Sequence, residues 1–404
     1  MPSPDSAQAA VRHANSASCL QVLREGAAPL TVTEMAELTA LSRPTVDAVM
    51  TELSRHQVVR VEQAAPRIGA GRPARRFTFD AAAGHVAGID AGPHSVRVMV
   101  GDLAGTVVAT TCTALPEQLA AETRLTAVRG CLAGALEEAL VAPDSLRAAC
   151  IAVPGILSHD DTIVSSLAVP EWVGYPLVTT LQQSWGCPVA VENDIKLAAL
   201  AEHRLGSVPD NAALTFVQIG HRVSVALIMD GTILQGSHRL AGELGSLRGM
   251  KWTTTSTRGE LRWLTADSAK AVFARAAAGD SAAAAEIEDF CGEIAPKIAT
   301  IILTIDPDVV VIGGGLSRAG QQLLGPLTAA VHHLLMTPEK PTILGSTLVS
   351  EGAVCGALGL AFERWSPDIF GVLAVPPPWP AWKPQSPAPT SDLSNLTPPR
   401  EKAR

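Results

Sequence analysis

Residues 88–108 read Gly-Ile-Asp-Ala-Gly-Pro-His-Ser-Val-Arg-Val-Met-Val-Gly-Asp-Leu-Ala-Gly-Thr-Val-Val. Apolar and β-branched runs flank the turn at Asp90-Ala91-Gly92, and a second turn at Asp102-Leu103-Ala104-Gly105 leads into a third run, which predicts a three-stranded meander. A small residue beside the aspartate lets backbone N–H groups come close to an anion. The plan returns at residues 214–236, Leu-Thr-Phe-Val-Gln-Ile-Gly-His-Arg-Val-Ser-Val-Ala-Leu-Ile-Met-Asp-Gly-Thr-Ile-Leu-Gln-Gly. One supersecondary unit repeated at this separation predicts two similar α/β lobes, each opening on a meander, with a cleft between them.

Outward from the first meander, residues 81–200 read as the first lobe, with a helical pattern at 123–142, a strand at 147–153, a turn at Pro154-Gly155, a helix at 177–185 and a strand at 188–192. Residues 201–374 read as the second lobe and close on a helix of small residues at 351–361. Past it the composition changes: nine prolines fall in residues 376–404, so 375–404 is expected to be a disordered tail.

Upstream, residues 1–80 read as a separate head. After a polar start expected to lack order, residues 17–25 carry apolar side chains at helical spacing. Thr31 precedes a short helix with Met35 and Leu38 on one face. Ser42 is a good N-cap for the next helix, and Pro44 suits its first turn, where a missing N–H would have no partner in any case. Val46, Val49, Met50 and Leu53 supply the apolar face. Helix, tight turn and helix at this spacing make a helix-turn-helix. Extended segments at 58–61 and 76–79, joined by a glycine-rich basic loop, add a wing.

Arg67, Arg72, Arg75 and Arg76 occur with no acidic residue between 67 and 76, a local field that attracts phosphates. The tip Gly71-Arg72-Pro73 is narrow enough for a minor groove, while Arg43 and Thr45, next to Ser42, would face major-groove base edges. The alternative is a three-helix interaction module whose arginines form a solvated face.

At 404 residues and 47% hydrophobic content the chain can bury two or three cores. No window approaches the ~18 consecutive apolar residues of a membrane span, and no basic-then-apolar leader opens the sequence, so a cytoplasmic location is expected. Seven cysteines without a C-x-x-C pair argue against a disulfide framework or a cysteine-based zinc site, and buried free thiols are expected. With a net charge of −8, nucleic-acid binding has to come from a local patch.

At residues 191–202, Val-Glu-Asn-Asp-Ile-Lys-Leu-Ala-Ala-Leu-Ala-Glu, a strand gives way to a helix. Together with G-I-D-A-G at 88–92, V-P-G at 153–155, A-G-E-L-G at 241–245 and D-P-D-V-V-V-I-G-G-G-L-S at 306–317, this segment resembles the ROK (repressor, open reading frame, kinase) family from residue 15 to about 365. The resemblance implies an actin-like, ribonuclease-H-like two-lobed α/β body, and the winged head matches the repressor branch. In the family's kinases the position of Asp194 is the general base for the attacking sugar hydroxyl, and those of Asn193 and Glu243 bond the sugar. Read from the residues alone, Asp194 is equally an N-cap; the two roles are compatible.

The departures from the family pattern are as informative. Pro93-His94 stand where its first phosphate turn has Gly-Thr, and proline removes a donor. Residues 220–224, Gly-His-Arg-Val-Ser, replace a loop of alternating glycines. Ser246 stands for the histidine that precedes the family's cysteine cluster, and no cysteine lies between Cys187 and Cys291, so no zinc is expected. Arg262 falls near a sugar-contacting glutamate, a reversal of charge. The triple glycine at 313–315 keeps the family's adenosine-side turn, although alone it is simply a tight connection.

The combined expectation is a DNA-binding regulator, a repressor, with no cofactor and a dismantled kinase body. It would be a homodimer or homotetramer on an inverted-repeat operator of double-stranded DNA. A sugar or other polar effector would be held by Asn193, Asp194, Glu243, Ser246 and Arg262. An active ATP-dependent sugar kinase and a ligand-independent scaffold are the alternatives.

Overall fold

A computed structural model of the chain describes residues 4–26, 28–63, 75–116, 118–256, 260–373 and 375–379. The head comprises α1 (Pro4–Glu25), β1 (Leu30–Thr31), α2 (Val32–Thr39), α3 (Arg43–Arg55), β2 (Val59–Gln63) and β3 (Arg75–Phe79). Thr31 and Glu34 form a capping box: the Glu34 N–H donates to the Thr31 hydroxyl at 3.2 Å and the Thr31 N–H to the Glu34 carboxylate at 2.7 Å. Ala40, in the left-handed region at φ 56°, ends α2 and makes the tight turn into α3. Cys19, Leu20, Met35, Val46, Met50, Leu53 and Phe77 fill the core beneath, and the strands pair in the order β1-β3-β2, antiparallel throughout. The opening residues differ from expectation, for α1 is already helical at Pro4. Alanine, the strongest helix former, recurs at 7, 9, 10 and 14 and offsets a polar composition that lacks an apolar stripe.

The body continues with β4 (His85–Ala91), β5 (Ser95–Asp102), β6 (Val107–Ala114), α4 (Ala121–Glu138), β7 (Leu146–Val153), β8 (Ile156–Leu157), β9 (Ile163–Ser165), α5 (Leu177–Trp185) and β10 (Val189–Asn193). After α6 (Asp194–Leu205) come β11 (Leu214–Ile219), β12 (Val223–Met229), β13 (Thr232–Ile233), α7 (Ala269–Ala277), α8 (Ser281–Ile305), β14 (Val309–Gly313), α9 (Gln321–Leu334), β15 (Thr342–Gly345), α10 (Gly352–Arg364) and α11 (Ser366–Phe370).

Two sheets repeat one plan, β10-β7-β4-β5-β6 and β13-β12-β11-β14-β15. In each, the first strand of the meander (β4, β11) is central, antiparallel to its successor and parallel to the next strand in the sheet (β7, β14). The central parallel strands are buried almost throughout, which is why β14 reads Val-Val-Val-Ile-Gly without a polar residue.

The chain divides into two compact units. One holds the head and the first sheet through Pro154, Asp161–Glu192 and residues 357–379; the other holds Gly155–Asp160 and Asn193–Gly356. In the first unit the packed chain runs past the expected start of the tail. Val375 and Trp379 are buried, Arg24 donates to the Pro376 carbonyl at 2.8 Å, and the Trp379 indole fills the space beside Gly359, where a Cβ would lie 1.8 Å from it. Residues 380–404 lie outside the described residues. All seven cysteines are free; Cys112 is exposed and the others buried.

Candidate functional site

The turn between α2 and α3 presents Ser42 as the N-cap of α3. Its hydroxyl accepts from the Thr45 N–H at 3.3 Å and shares a 2.8 Å hydrogen bond with the Thr45 hydroxyl, so the two expected DNA contacts also hold the start of the helix together. Arg43 is exposed beside them. Arg75, at the base of the wing, forms a 2.5 Å ion pair with Asp47 of α3 and lies 5.6 Å from the centre of the Phe77 ring. Arg76 donates to the Pro29 carbonyl at 2.8 Å and sits 3.8 Å from Glu34. Bonds from the Thr31 backbone and hydroxyl, with a smaller contribution from Arg76, hold the Glu34 carboxyl below its usual range. Arg67, Gly71, Arg72 and Pro73 lie outside the described residues.

The end of α3 is clamped by a residue that no local pattern singles out. Arg147 of β7 donates through Nη1 to the carbonyls of Ile369 (2.8 Å) and His56 (3.2 Å), and through Nη2 to that of Ala83 (2.8 Å). Burial lowers its pKa, partly opposed by Asp80. The His56 ring rests where Gly371, at φ +71°, has no side chain; a Cβ there would come within 2.3 Å of the ring.

The first candidate phosphate turn is closed by its own surroundings. The Gly92 N–H donates to Ser95 O at 3.0 Å and Pro93 has no N–H. Arg124, buried in α4, donates to the carbonyls of Gly92 (2.7 Å) and Pro93 (3.3 Å), and its Nε donates to Glu171 at 2.5 Å. The turn thus directs carbonyls at a guanidinium and uses one of its amides in the hairpin. Dehydration pushes the nearby Asp90 carboxyl up to about 6, against the pull of Arg97.

In the second unit Asn193, rather than Asp194, is the N-cap of α6: its Oδ1 accepts from the N–H groups of Ile195 and Lys196, both at 3.0 Å. Adjacent Asn and Asp compete for one role, and the residue with extended backbone takes it. Asp194 opens the helix and accepts from the Ile195 N–H at 3.0 Å, while the Asn193 amide donates to Gly155 O at 2.9 Å. Lys196, buried two residues after Asp194, donates to Gln235 Oε1 at 3.1 Å and to Arg239 O at 3.0 Å. It fastens the loop carrying Glu243 and Ser246 to α6. Those two share one turn, the Ser246 N–H donating to Glu243 O at 3.0 Å, and Gly242 (φ +86°) lets the loop lie on β12, where a Cβ would meet Val225 O at 2.4 Å. Arg262 has partners of its own. It sits 3.8 Å from Glu260, which also pairs with Arg222 at 3.2 Å, and the Leu261 N–H donates to His221 O at 2.8 Å. Segment 260–262 is thereby tied to the 220–224 loop.

In the segment after Ser246, hydroxyls make the bonds. Thr253 and Ser256 share a 2.6 Å hydrogen bond, Thr254 donates to Glu293 of α8 through its N–H (2.7 Å) and hydroxyl (2.6 Å), and Lys297 donates to Trp252 O at 3.0 Å. Among the described residues no group of three or more His, Cys, Asp or Glu is placed to hold a metal ion, and no helix is long and apolar enough to cross a membrane. Packing and backbone conformation both call for the glycines at 313 and 314: a Cβ at Gly313 would lie 2.3 Å from the Phe216 ring, and one at Gly314, where φ is +80°, 2.5 Å from Ile219 O.

Comparison with known proteins places these features in context. The ROK family pattern matches residues 86–250 and 248–364, and the IclR helix-turn-helix domain matches residues 14–63. A glucokinase of Halalkalibacterium halodurans is 26% identical over 210 residues, 44% of this chain and 64% of that protein. The bifunctional enzyme NanE/NanK of Brucella melitensis is 30% identical over 236 residues, 54% of this chain and 44% of that protein. The chain therefore spans less than two thirds of either relative. Among solved structures, a ROK family transcriptional regulator described as a homolog of E. coli MLC superposes with a TM-score of 0.67 at 18% identity, covering 89% of this chain and 98% of that one. A ROK family glucokinase from Streptomyces griseus, in complex with glucose and AMPPNP, gives 0.58 at 21% identity over 69% of this chain and 99% of its own.

Proposed function

This chain is a member of the ROK family, and from that membership we propose that it is a DNA-binding transcription regulator, a repressor, whose body no longer transfers phosphate. The observation that carries the reading is the capped helix-turn-helix of α2 and α3, backed by an antiparallel sheet and joined to a ROK body. Residues 1–80 are the DNA-binding part, 81–200 and 201–374 the body, and double-stranded DNA in the cytoplasm is the partner. Ser42, Arg43, Thr45, Arg67, Gly71, Arg72, Pro73, Arg75 and Arg76 form the proposed contact set.

Loss of phosphoryl transfer is supported by the first turn, where Arg124 gathers the carbonyls and the Gly92 amide is used by the hairpin. Asn193, Asp194, Glu243 and Ser246, with Arg262, are the proposed contacts for a sugar or other polar effector. Such a ligand regulates only if it binds two arrangements of a dimer or tetramer with different affinity.

The test has two arms. Fluorescence anisotropy against duplexes selected from genomic DNA, at fixed salt, is expected to show specific binding that Arg43→Ala weakens. A coupled assay of ATP with a panel of hexoses is expected to show no turnover; turnover abolished by Asp194→Ala would establish the kinase reading instead.

A further inference from the structure

We propose that Asp47 selects the operator sequence by accepting a hydrogen bond from the exocyclic amine of a cytosine in the major groove, with Arg75 as its counter-charge. This deepens the DNA-binding reading and rests on it. The apolar face of α3, Val46, Val49, Met50 and Leu53, is buried in the head. Helical periodicity then sets Arg43, Asp47 and Thr51 in one row on a different face. Arg43 and Thr51 are exposed, and the Asp47 side chain keeps 49% of its accessible surface.

A carboxylate in that row opposes the negative field of a duplex unless something offsets it. Arg75 does so directly, reaching from β3 to Asp47 Oδ1 at 2.5 Å. A carboxylate carries two acceptor oxygens and no donor, and Oδ2 is the one assigned to the base. Among major-groove edges, cytosine presents its N4 amine with no acceptor beside it on the same base, whereas the adenine N6 amine adjoins the N7 acceptor, which would face the carboxylate unfavourably. The guanine of the same base pair offers O6 and N7, which suit a guanidinium. An aspartate and an arginine held side by side therefore match the donor and acceptor edges of a C·G pair.

Thr51 supports the arrangement rather than competing for the base: its hydroxyl donates back to Asp47 O at 2.8 Å. In sequence the signal is an acid four residues beyond Arg43, on the helix that carries the expected base contacts.

The experiment is selection from a randomised duplex library by the full chain, followed by competition titrations, for wild type, Asp47→Ala and Asp47→Asn. Thermal melts verify that each variant is folded. Wild type is expected to select C·G at one position per half-site. Asp47→Ala should lose discrimination there by about 5- to 150-fold, the usual range for one mismatched base pair, while keeping its preferences elsewhere. Asp47→Asn should switch that position toward adenine, whose N6 and N7 an amide can engage together. If Asp47→Ala binds all duplexes more tightly with every preference intact, Asp47 is only a general repeller and the proposal fails alone. Wild-type selection of adenine or thymine at the Asp47-dependent position also overturns it. If the folded wild-type chain binds no duplex at any salt concentration, the DNA-binding reading fails and this one with it.

Discussion

Replacing Arg147 by alanine should detach the head from the rest of its unit before either part loses its own core. Three carbonyls, those of His56, Ala83 and Ile369, belong to three different segments and meet on one guanidinium. Water can take over the exposed bond to His56, which is also the longest at 3.2 Å. The two 2.8 Å bonds to Ala83 and Ile369 are partly buried. Hydrogen bonds to a charged group contribute about 1.5–3 kcal/mol each; taking the low end for both, because Arg147 is itself only partly buried, gives a loss of about 3 kcal/mol. For a unit of this size that corresponds to a fall in Tm of about 6–12 °C. Differential scanning calorimetry of Arg147→Ala should show an early transition for the head. Arg147→Lys, with one compact donor group in place of a fork, should fall between. A single transition within about 1 °C of wild type would refute the clamp.

Two further outcomes follow from packing and burial. Gly313→Ala places a Cβ 2.3 Å from the Phe216 ring and should cost about 1–3 kcal/mol by urea denaturation, with Phe216→Leu restoring part of it; an unchanged midpoint would show that the close approach can relax freely. For Asp90, a carboxyl raised from 3.8 to about 6 means that across this window the folded chain holds a proton the unfolded chain has released. Its contribution to stability therefore declines as pH rises from about 4 to 6 and is level above. Asp90→Asn, which cannot ionise, should gain on wild type through that interval, and parallel stability curves from pH 4 to 7.5 would contradict the assignment.

The meanders were legible because their turns are marked by Asp and Gly between β-branched runs, and the repeat was legible because both lobes use the same marks. Helix 177–185 and the strand ending at Val153 were also placed well, bounded by glycine and proline. Ser42 was recognisable as a cap because a cap reaches only three residues. What stayed hidden depends on distant partners. The acids that pair with Arg75 and Arg76 lie 28 and 42 positions upstream, at Asp47 and Glu34. Arg147 contacts a carbonyl 222 residues away. Lys196 looks like an ordinary helix lysine until Gln235 and Arg239 are folded onto it. Asn193 took the cap expected of Asp194 because two adjacent side chains could both reach, and only the backbone conformation separates them.

The anchoring of α3 at one end also has a geometric consequence. Thirteen residues at 1.5 Å each make a rod about 20 Å long, held at His56 and unsupported by that clamp at Arg43. A turn of the whole head by roughly 10° about the held end would carry Arg43 sideways by about 3.5 Å, close to the 3.4 Å step between successive base pairs. An angular change too small to disturb the cores would therefore be enough to put the reading end of the rod out of register by a whole base.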